Sequence, residues 1–475
     1  MSPNALRVLY RLKEAGFQGF LVGGCVRDIM LGREPKDFDV ATDALPEEVR
    51  RLFRNCRLIG RRFRLAHVVF GHDVIEVATF RAATAPAQSE DPTREEEAEA
   101  DAELAEVEEE PATETRGTDR VMHASGRILR DNIYGHIDDD VWRRDFTANS
   151  LYYNIADFSV WDYVGGVEDI AAHRLRLIGD PATRYREDPV RMLRAARFEA
   201  KLGFELEPAS LAPIAELRHM LAEVPPARLF DETAKLFLTG HGVDSLRVLR
   251  KHRLLEVLMP EVERYLRANP GGLVEQLLQR GLANTDERVA IDKPVTPTYL
   301  LALLLYGPIA AAIETLPPQR WHEISAIAEA CDRALRQAQQ RLSIPKRVSF
   351  GVRELFAMQP RLEHPRGRRA LRLLEQPRFR AAFDLLQLRA SLGLASAEVS
   401  DWWEKLQQTS LEQREQMADS SPAGAAGAAG AAGAAGAAGA AGAAASTDAP
   451  RPRRRRRRRG GGKGNAGGNG GGSGG

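Results

Sequence analysis

Phe20-Leu-Val-Gly-Gly-Cys-Val-Arg-Asp-Ile-Met-Leu-Gly32, followed by Pro35-Lys-Asp-Phe-Asp-Val40, is the stretch on which the reading of this chain turns. It predicts a strand, a Gly23-Gly24 turn, a helix over Cys25–Leu31 and a second strand carrying Asp37 and Asp39. Glycines at the turn let backbone N–H groups come close to a ligand, because no Cβ intervenes. The helix then begins with free N–H groups facing that point, a natural place for a phosphate. Asp37 and Asp39, two apart on a strand, leave the same face, with Phe38 and Val40 on the other. Adjacent carboxylates repel unless a cation lies between them. Oxygen-only ligands suit Mg²⁺. A phosphate cradle beside paired carboxylates indicates phosphoryl or nucleotidyl transfer. The bland reading of each part alone is a tight turn and a solvated strand face.

The chain has 475 residues, enough for two or three domains. No apolar run is long enough to span a bilayer, and residues 1–7 lack a signal-peptide core. The three cysteines are widely separated and fit neither a disulfide framework nor a zinc spacing, so a reducing cytoplasm is expected. The net charge of +1 averages over two opposed runs. Residues 90–110 hold twelve Asp/Glu and one Arg, whereas residues 451–475 hold eight Arg and one Lys.

In chain order, Asn4 is expected to cap a first helix that stops at Gly16, and Pro46–Arg54 reads as another helix. Ala66–Phe70 and Val74–Arg81 read as a β-hairpin, with Glu76 on the face opposite Ile75, Val77 and Thr79. A small mixed sheet with packed helices is the economical architecture. Residues 82–119 are Glu-, Ala- and Pro-rich and cannot bury a core, so they read as an exposed acidic insertion. A helix is expected to begin near Asp145, placing Asp145 and Asn149 on one face and Arg143 and Arg144 at its start. The bland reading of Asp145 is an N-cap. Asp188-Pro189 starts a further helix, with Glu187, Asp188, Arg191 and Arg194 on one arc and an apolar arc opposite. Such a row can be intrahelical ion pairs or can read the edge of a base.

From about 205 to 410 the periodicity is helical. Residues 346–392 are Arg-rich, with Phe350, Phe356, Phe379 and Phe383 interleaved, which suits either helix core or a nucleic-acid platform. Residues 423–445 form a Gly-Ala-Ala linker. After it, Arg451, Arg453, Arg454, Arg455, Arg456, Arg457, Arg458 and Arg459 form a cationic run that would bind RNA by counterion release.

Leu21–Gly32, Asp37-Phe-Asp39, Arg143-Arg-Asp-Phe-Thr147 and Glu187-Asp-Pro-Val-Arg-Met-Leu-Arg194 occur in that order. Together they resemble the class II nucleotidyltransferases, which comprise CCA-adding enzymes and bacterial poly(A) polymerases. The resemblance covers roughly residues 10–260, and the helical part to about 390 also resembles the poly(A) polymerase branch. Lys36–Val40, Arg61–His67 and the arginine tail favour the poly(A) polymerase branch. It implies an α+β fold: a polymerase-β-like head with a small mixed sheet, then an all-helical neck, body and tail and a disordered basic C-terminus. The corresponding division is head 1–180 (acidic insertion 82–119), neck 181–260, body with an Arg-rich RNA-binding arm 261–410, and linker and tail 411–475.

The implied reaction is template-independent polyadenylation of RNA 3′ ends, with AMP transferred from ATP and pyrophosphate released. Promotion of RNA decay, and RNA-decay proteins as partners, would follow. Asp37 and Asp39 would hold Mg²⁺, and Gly23, Gly24 and Arg27 would cradle the triphosphate. Arg144 would contact the nucleotide with support from Asn149, and Asp188, Arg191 and Arg194 would select adenine. For the third carboxylate the family motif implies Asp145, with Glu76, to which strand geometry points, as its rival. The alternative activity is CCA addition to tRNA. A non-catalytic RNA-binding protein and a small-molecule adenylyltransferase are rivals of other classes, opposed respectively by the aspartate pair and by the arginine tail.

Overall fold

The structure, a computed structural model, describes residues 1–60, 64–82 and 134–419, and the backbone of 120–122 and 128–131. The acidic insertion beyond Ala82, Arg61–Phe63, the Gly-Ala-Ala linker and the arginine run lie outside the described residues.

Helix α1 (Pro3–Glu14) has Pro at its start, where the missing N–H costs nothing. Its cap is Ser2, whose Oγ accepts from the Asn4 and Ala5 amides at 3.2 and 3.4 Å. Asn4, expected as the cap, instead donates from Nδ2 to Asp73 at 2.9 Å. Strand β1 (Gly19–Val22), helix α2 (Gly24–Met30) and strand β2 (Asp39–Thr42) follow. Next come α3 (Pro46–Leu52), β3 (Cys56–Ile59), β4 (Leu65–Phe70) and β5 (Asp73–Thr79). β6 (Arg120–Met122) and β7 (Ile128–Asp131) pair with each other. Helix α4 (Ile137–Arg143), β8 (Leu151–Asn154), β9 (Val160–Asp162) and α5 (Gly166–Ala171) complete the sheet region.

Seven strands form one mixed sheet in the order β3-β4-β5-β2-β1-β8-β9. Only the β2–β5 pair among these neighbours is parallel. Alternation assigns the two faces. Leu21, Val40, Ile75 and Val77 are buried in the main core with Ala5, Leu9, Leu12 and Val49 of α1 and α3. On the other face Phe20, Val22, Ala41 and Tyr152 pack under Ile137 and Val141 of α4. That cover stops short of β5, where Val74 is exposed and Glu76 and Ala78 are half-buried. The face is thus capped at one end and open at the other.

Beyond the sheet, α6 (Pro181–Glu187) and α7 (Val190–Leu202) lead into a helical region that extends to Asp419. The main core continues through it without a break as far as Leu406. Phe356, Phe379 and Phe383 are buried there, so the interleaved aromatics are mostly core, and Phe350 alone of the four is exposed. Among the described residues no single helix is long and apolar enough to cross a membrane.

Candidate active site

Strand register builds the acidic half of the cleft. Tyr152 lies opposite Val22, Val22 opposite Asp39, Asp39 opposite Glu76, and Glu76 opposite His67. Direct cross-strand neighbours share a face. The row therefore runs from the covered end at Tyr152 to the open end at Glu76 and His67, with Asp39 where the cover ends. Asp37 does not lie on the strand as expected: β2 begins at Asp39, and Asp37 is in the exposed loop just before it.

The Asp39 carboxyl is recessed between these walls yet open to water. Burial, then the charges of Glu76 and Asp37, push its pKa up to about 6, while Arg144 pulls it down. Asp37, Asp39 and Glu76 thus repel one another. Glu76 also meets His67 Nε2 at 3.7 Å. Among the described residues no group of three acid, His or Cys side chains closes into a metal cage by itself. That suits Mg²⁺, which takes one or two carboxylates and completes its shell with water and substrate phosphates. The residues present fit such an ion.

The turn at the head of α2 depends on glycine. Gly23 has φ +76°, a conformation that side-chain-bearing residues rarely adopt, and a Cβ there would stand 3.6 Å from Arg144 Nη1. Arg27 is only 1% exposed. It donates to Asp28 Oδ1 at 2.7–2.8 Å and to Asn149 Oδ1. Asn149 therefore holds Arg27, and Arg144 reaches only the Asn149 carbonyl, at 3.5 Å.

Arg144 closes the covered end. Its Nε donates to Tyr152 Oη at 2.8 Å and its Nη2 to Asp140 at 3.0 Å, while Tyr152 donates to the same carboxylate at 2.7 Å. Burial works against charge on Asp140, but Arg144, Tyr152 and Arg143 outweigh it and hold the carboxyl below its ordinary range. Asp140 and Arg144 are four apart, so this pair was readable as a helical ion pair. The helix precedes Arg144 rather than following it: α4 ends at Arg143, Asp145 is in an irregular segment, and only a short 3-10 turn, Thr147–Asn149, comes after.

Asp145 points to the neck. It accepts from Arg194 at 2.6–2.7 Å and from the Phe146 amide at 2.9 Å. Burial would raise its pKa, but Arg194 and these hydrogen bonds leave it lowered. Asp188 accepts from Arg228 at 2.8 Å and from the Val190 amide at 3.2 Å. Arg191 donates to Glu187 at 3.1 Å and to the Arg184 carbonyl at 2.8 Å. The row from Glu187 to Arg194 is thus a set of oriented, mostly buried pairs rather than a solvated stripe.

Sequence reasoning missed three residues here. Arg184 donates from Nη2 to the carbonyls of Arg143 and Arg144, at 3.0 and 2.8 Å, and so ties α6 to the loop that carries Arg144. Phe198 gathers the guanidiniums of Arg27, Arg194 and Arg197 at 5.7, 5.9 and 4.6 Å from its ring centre. Arg197 Nε is buried with no hydrogen bond among the described residues; the Glu232 carboxylate stands 3.8 Å away. Burial lowers the Arg197 pKa, and Arg194 and Arg27 add to this against the pull of Glu232 and Asp145. Such a concentration of like charge fits an anion. The only sequence signal was the three-residue spacing of Arg191, Arg194 and Arg197.

The region thus combines an acidic row on the sheet with guanidiniums gathered around Phe198, each of which also has a carboxylate beside it. Residues 19–176 match the family described as "Poly A polymerase head domain", residues 203–266 "Probable RNA and SrmB-binding site of polymerase A", and residues 319–460 "Polymerase A arginine-rich C-terminus". Poly(A) polymerase I of Salmonella typhi is 44% identical over 410 residues, 86% of this chain and 83% of that protein. The chain belongs to the poly(A) polymerase family. As a member it is a nucleotidyltransferase, a polynucleotide adenylyltransferase that works without a template. Poly(A) polymerase I of Haemophilus influenzae is 42% identical, covering 88% of this chain and 87% of its own. The CCA-adding enzyme of Bacillus subtilis is more distant, 34% identical over about half of each chain (54% and 55%). Among solved structures, a tRNA-processing enzyme in an apo form matches 88% of this chain at TM-score 0.55 and 21% identity. A tRNA nucleotidyltransferase with primer tRNA and an ATP analogue matches 84% at TM-score 0.51 and 21% identity. At that identity they establish the shared α+β fold.

Proposed function

We propose that this polymerase transfers AMP from ATP to the 3′-hydroxyl of RNA at the cleft between β2, β5 and α7, releasing pyrophosphate. The observation that supports the site is the register that seats Glu76 beside Asp39, whose pKa both Glu76 and Asp37 raise. Asp37 and Asp39 would hold Mg²⁺, which when bound supplies positive charge to the attacking hydroxyl and the transferring phosphate. For the third carboxylate we favour Glu76 over Asp145. Glu76 crowds Asp39, whereas Asp145 is occupied by Arg194.

The chain's own groups supply the rest. Gly23 and Gly24 admit the triphosphate to the start of α2, and Arg27, fixed by Asp28 and Asn149, faces it. Arg144, held by Asp140 and Tyr152, contacts the nucleotide from the covered end. Asp188, Arg191 and Arg194 select adenine. Their pairing fixes orientation, which discrimination between base edges requires. Breaking one such pair would blur the choice of base as well as weaken the neck.

We retain the division into head 1–180, neck 181–260, body 261–410 and tail 411–475. Arg451 and Arg453–Arg459 would hold RNA near the body without reading its sequence. A cytoplasmic location and a role in RNA decay, with decay proteins as partners, fit this activity. Burial pushes the Cys25 thiol up to about 11, a group suited to packing rather than to disulfide exchange. Incubation of purified protein with RNA and each nucleotide separately tests the reading. Long tails from ATP alone are expected; a product limited to C, C and A on tRNA would overturn it.

A further inference from the structure

The helix Lys346–Glu363 presents three exposed side chains in its first turns, Lys346, Arg347 and Phe350. At spacings of three and four they share one face. The opposite face, with Val348, Val352 and Leu355, is buried in the core. Phe350 is 55% exposed, so its ring is open to solvent. A built feature supports it. The Arg378 guanidinium lies 5.7 Å from the ring centre and donates to the Arg347 carbonyl at 3.5 Å, and Glu354 pairs with it from the next turn.

That placement requires Gly351. A Cβ there would come within 2.9 Å of Arg378 Nε and 2.6 Å of Thr298 Cγ2. The helix therefore omits a side chain where the guanidinium crosses its backbone. Lys346 and Arg347 have no ion pair among the described residues.

We propose that Phe350, flanked by Arg378, Lys346 and Arg347, is a stacking site for a base of single-stranded RNA, the adenylate tail in particular. An aromatic face beside cations is the arrangement that holds single strands: the ring stacks on any base and the cations meet the backbone. The occupant follows from the activity, since each turnover lengthens a polyanion whose bases are all purines with large π-faces. The inference rests on the reading of this chain as an RNA polyadenylating enzyme. It assigns to that enzyme a contact outside the cleft, in the body.

The test is the affinity of the full-length protein for a fluorescein-labelled oligoadenylate of about 20 nucleotides, by anisotropy, over a salt series. Phe350→Ala is expected to weaken binding about 5- to 150-fold, the range measured for losing one base–aromatic stack. Phe350→Trp should keep wild-type affinity. Lys346→Glu with Arg347→Glu should flatten the salt dependence by about two phosphate contacts. Melting curves for each variant identify loss of fold. Wild-type affinity in Phe350→Ala, or equal weakening in Phe350→Trp, would overturn the site. If the wild-type protein extends RNA with ATP but Phe350→Ala binds normally, only this inference fails. If the wild-type protein neither binds nor extends RNA, the polyadenylation reading fails first.

Discussion

The sheet and the neck use carboxylates in opposite ways. Across β2 and β5, Asp37, Asp39 and Glu76 are held against one another, and Asp39 is pushed up to about 6 by burial and by its two acidic neighbours. At the junction of head and neck, several acids meet cations instead: Glu187 with Arg184 and Arg191, Asp188 with Arg228, Asp145 with Arg194, Glu199 with His252 and Lys251. The repulsion in the sheet is what a bound cation would relieve. Elsewhere in a protein interior, pairing fixes geometry. Equal numbers of acids in a sequence can therefore mean a reaction centre or a scaffold, and the partner decides which.

The largest expected effect lies on the repelling side. Asp39→Ala should lower the rate of AMP addition by at least about 1000-fold, the scale of losing metal-assisted charge stabilisation. Its melting temperature without Mg²⁺ should not fall, because the substitution removes a repelled charge. A variant that unfolds would place Asp39 with the neck acids instead. Asp145→Ala should behave in the opposite manner. It leaves the half-buried Arg194 without this carboxylate and should cost about 1–3 kcal/mol of stability, read by chemical denaturation.

A smaller effect separates the two regions by pH. Glu199 is buried, which would raise its pKa, but hydrogen bonds from His252 and Lys251 and their charges leave it below its ordinary value. His252 Nε2 and Lys251 Nζ lie 2.6 and 2.8 Å away. A depressed carboxyl contributes stability above its unfolded pKa, about 4.3, and loses it as pH falls through the folded value. Glu199→Gln should thus cost about 1–3 kcal/mol at pH 7 and progressively less below about pH 4, in denaturation series at several pH values. A cost that does not change with pH would mean that packing rather than charge carries the contact.

Much of the sheet region was legible because its signals are local. The Gly23-Gly24 turn, the helix after it and the alternation that put Glu76 opposite Ile75 and Val77 follow from backbone rules. Asp37 was misplaced by two residues because strand ends leave no sharp mark. The segment around Asp145 was misread because its residue type suits an N-cap, while the apolar pattern of Ile137 and Val141 already belonged to the preceding helix. The Arg27–Arg194–Arg197 cluster joins residues more than 160 positions apart and was invisible to any local pattern. The aromatics of the body show the same limit. Periodicity placed Phe356, Phe379 and Phe383 on helices but could not say that they face the core while Phe350 faces water.

The rate of AMP addition as a function of Mg²⁺ concentration, for Glu76→Gln and Asp145→Asn beside the wild type, tests the contrast most directly. Glu76→Gln should raise the Mg²⁺ needed for half-maximal rate about tenfold and lower the maximum. Asp145→Asn should leave that Mg²⁺ requirement unchanged and show its effect in the KM for ATP and in thermal stability. A Mg²⁺ requirement shifted by Asp145→Asn and untouched by Glu76→Gln would contradict the assignment of Glu76 to the reaction centre and of Asp145 to the scaffold.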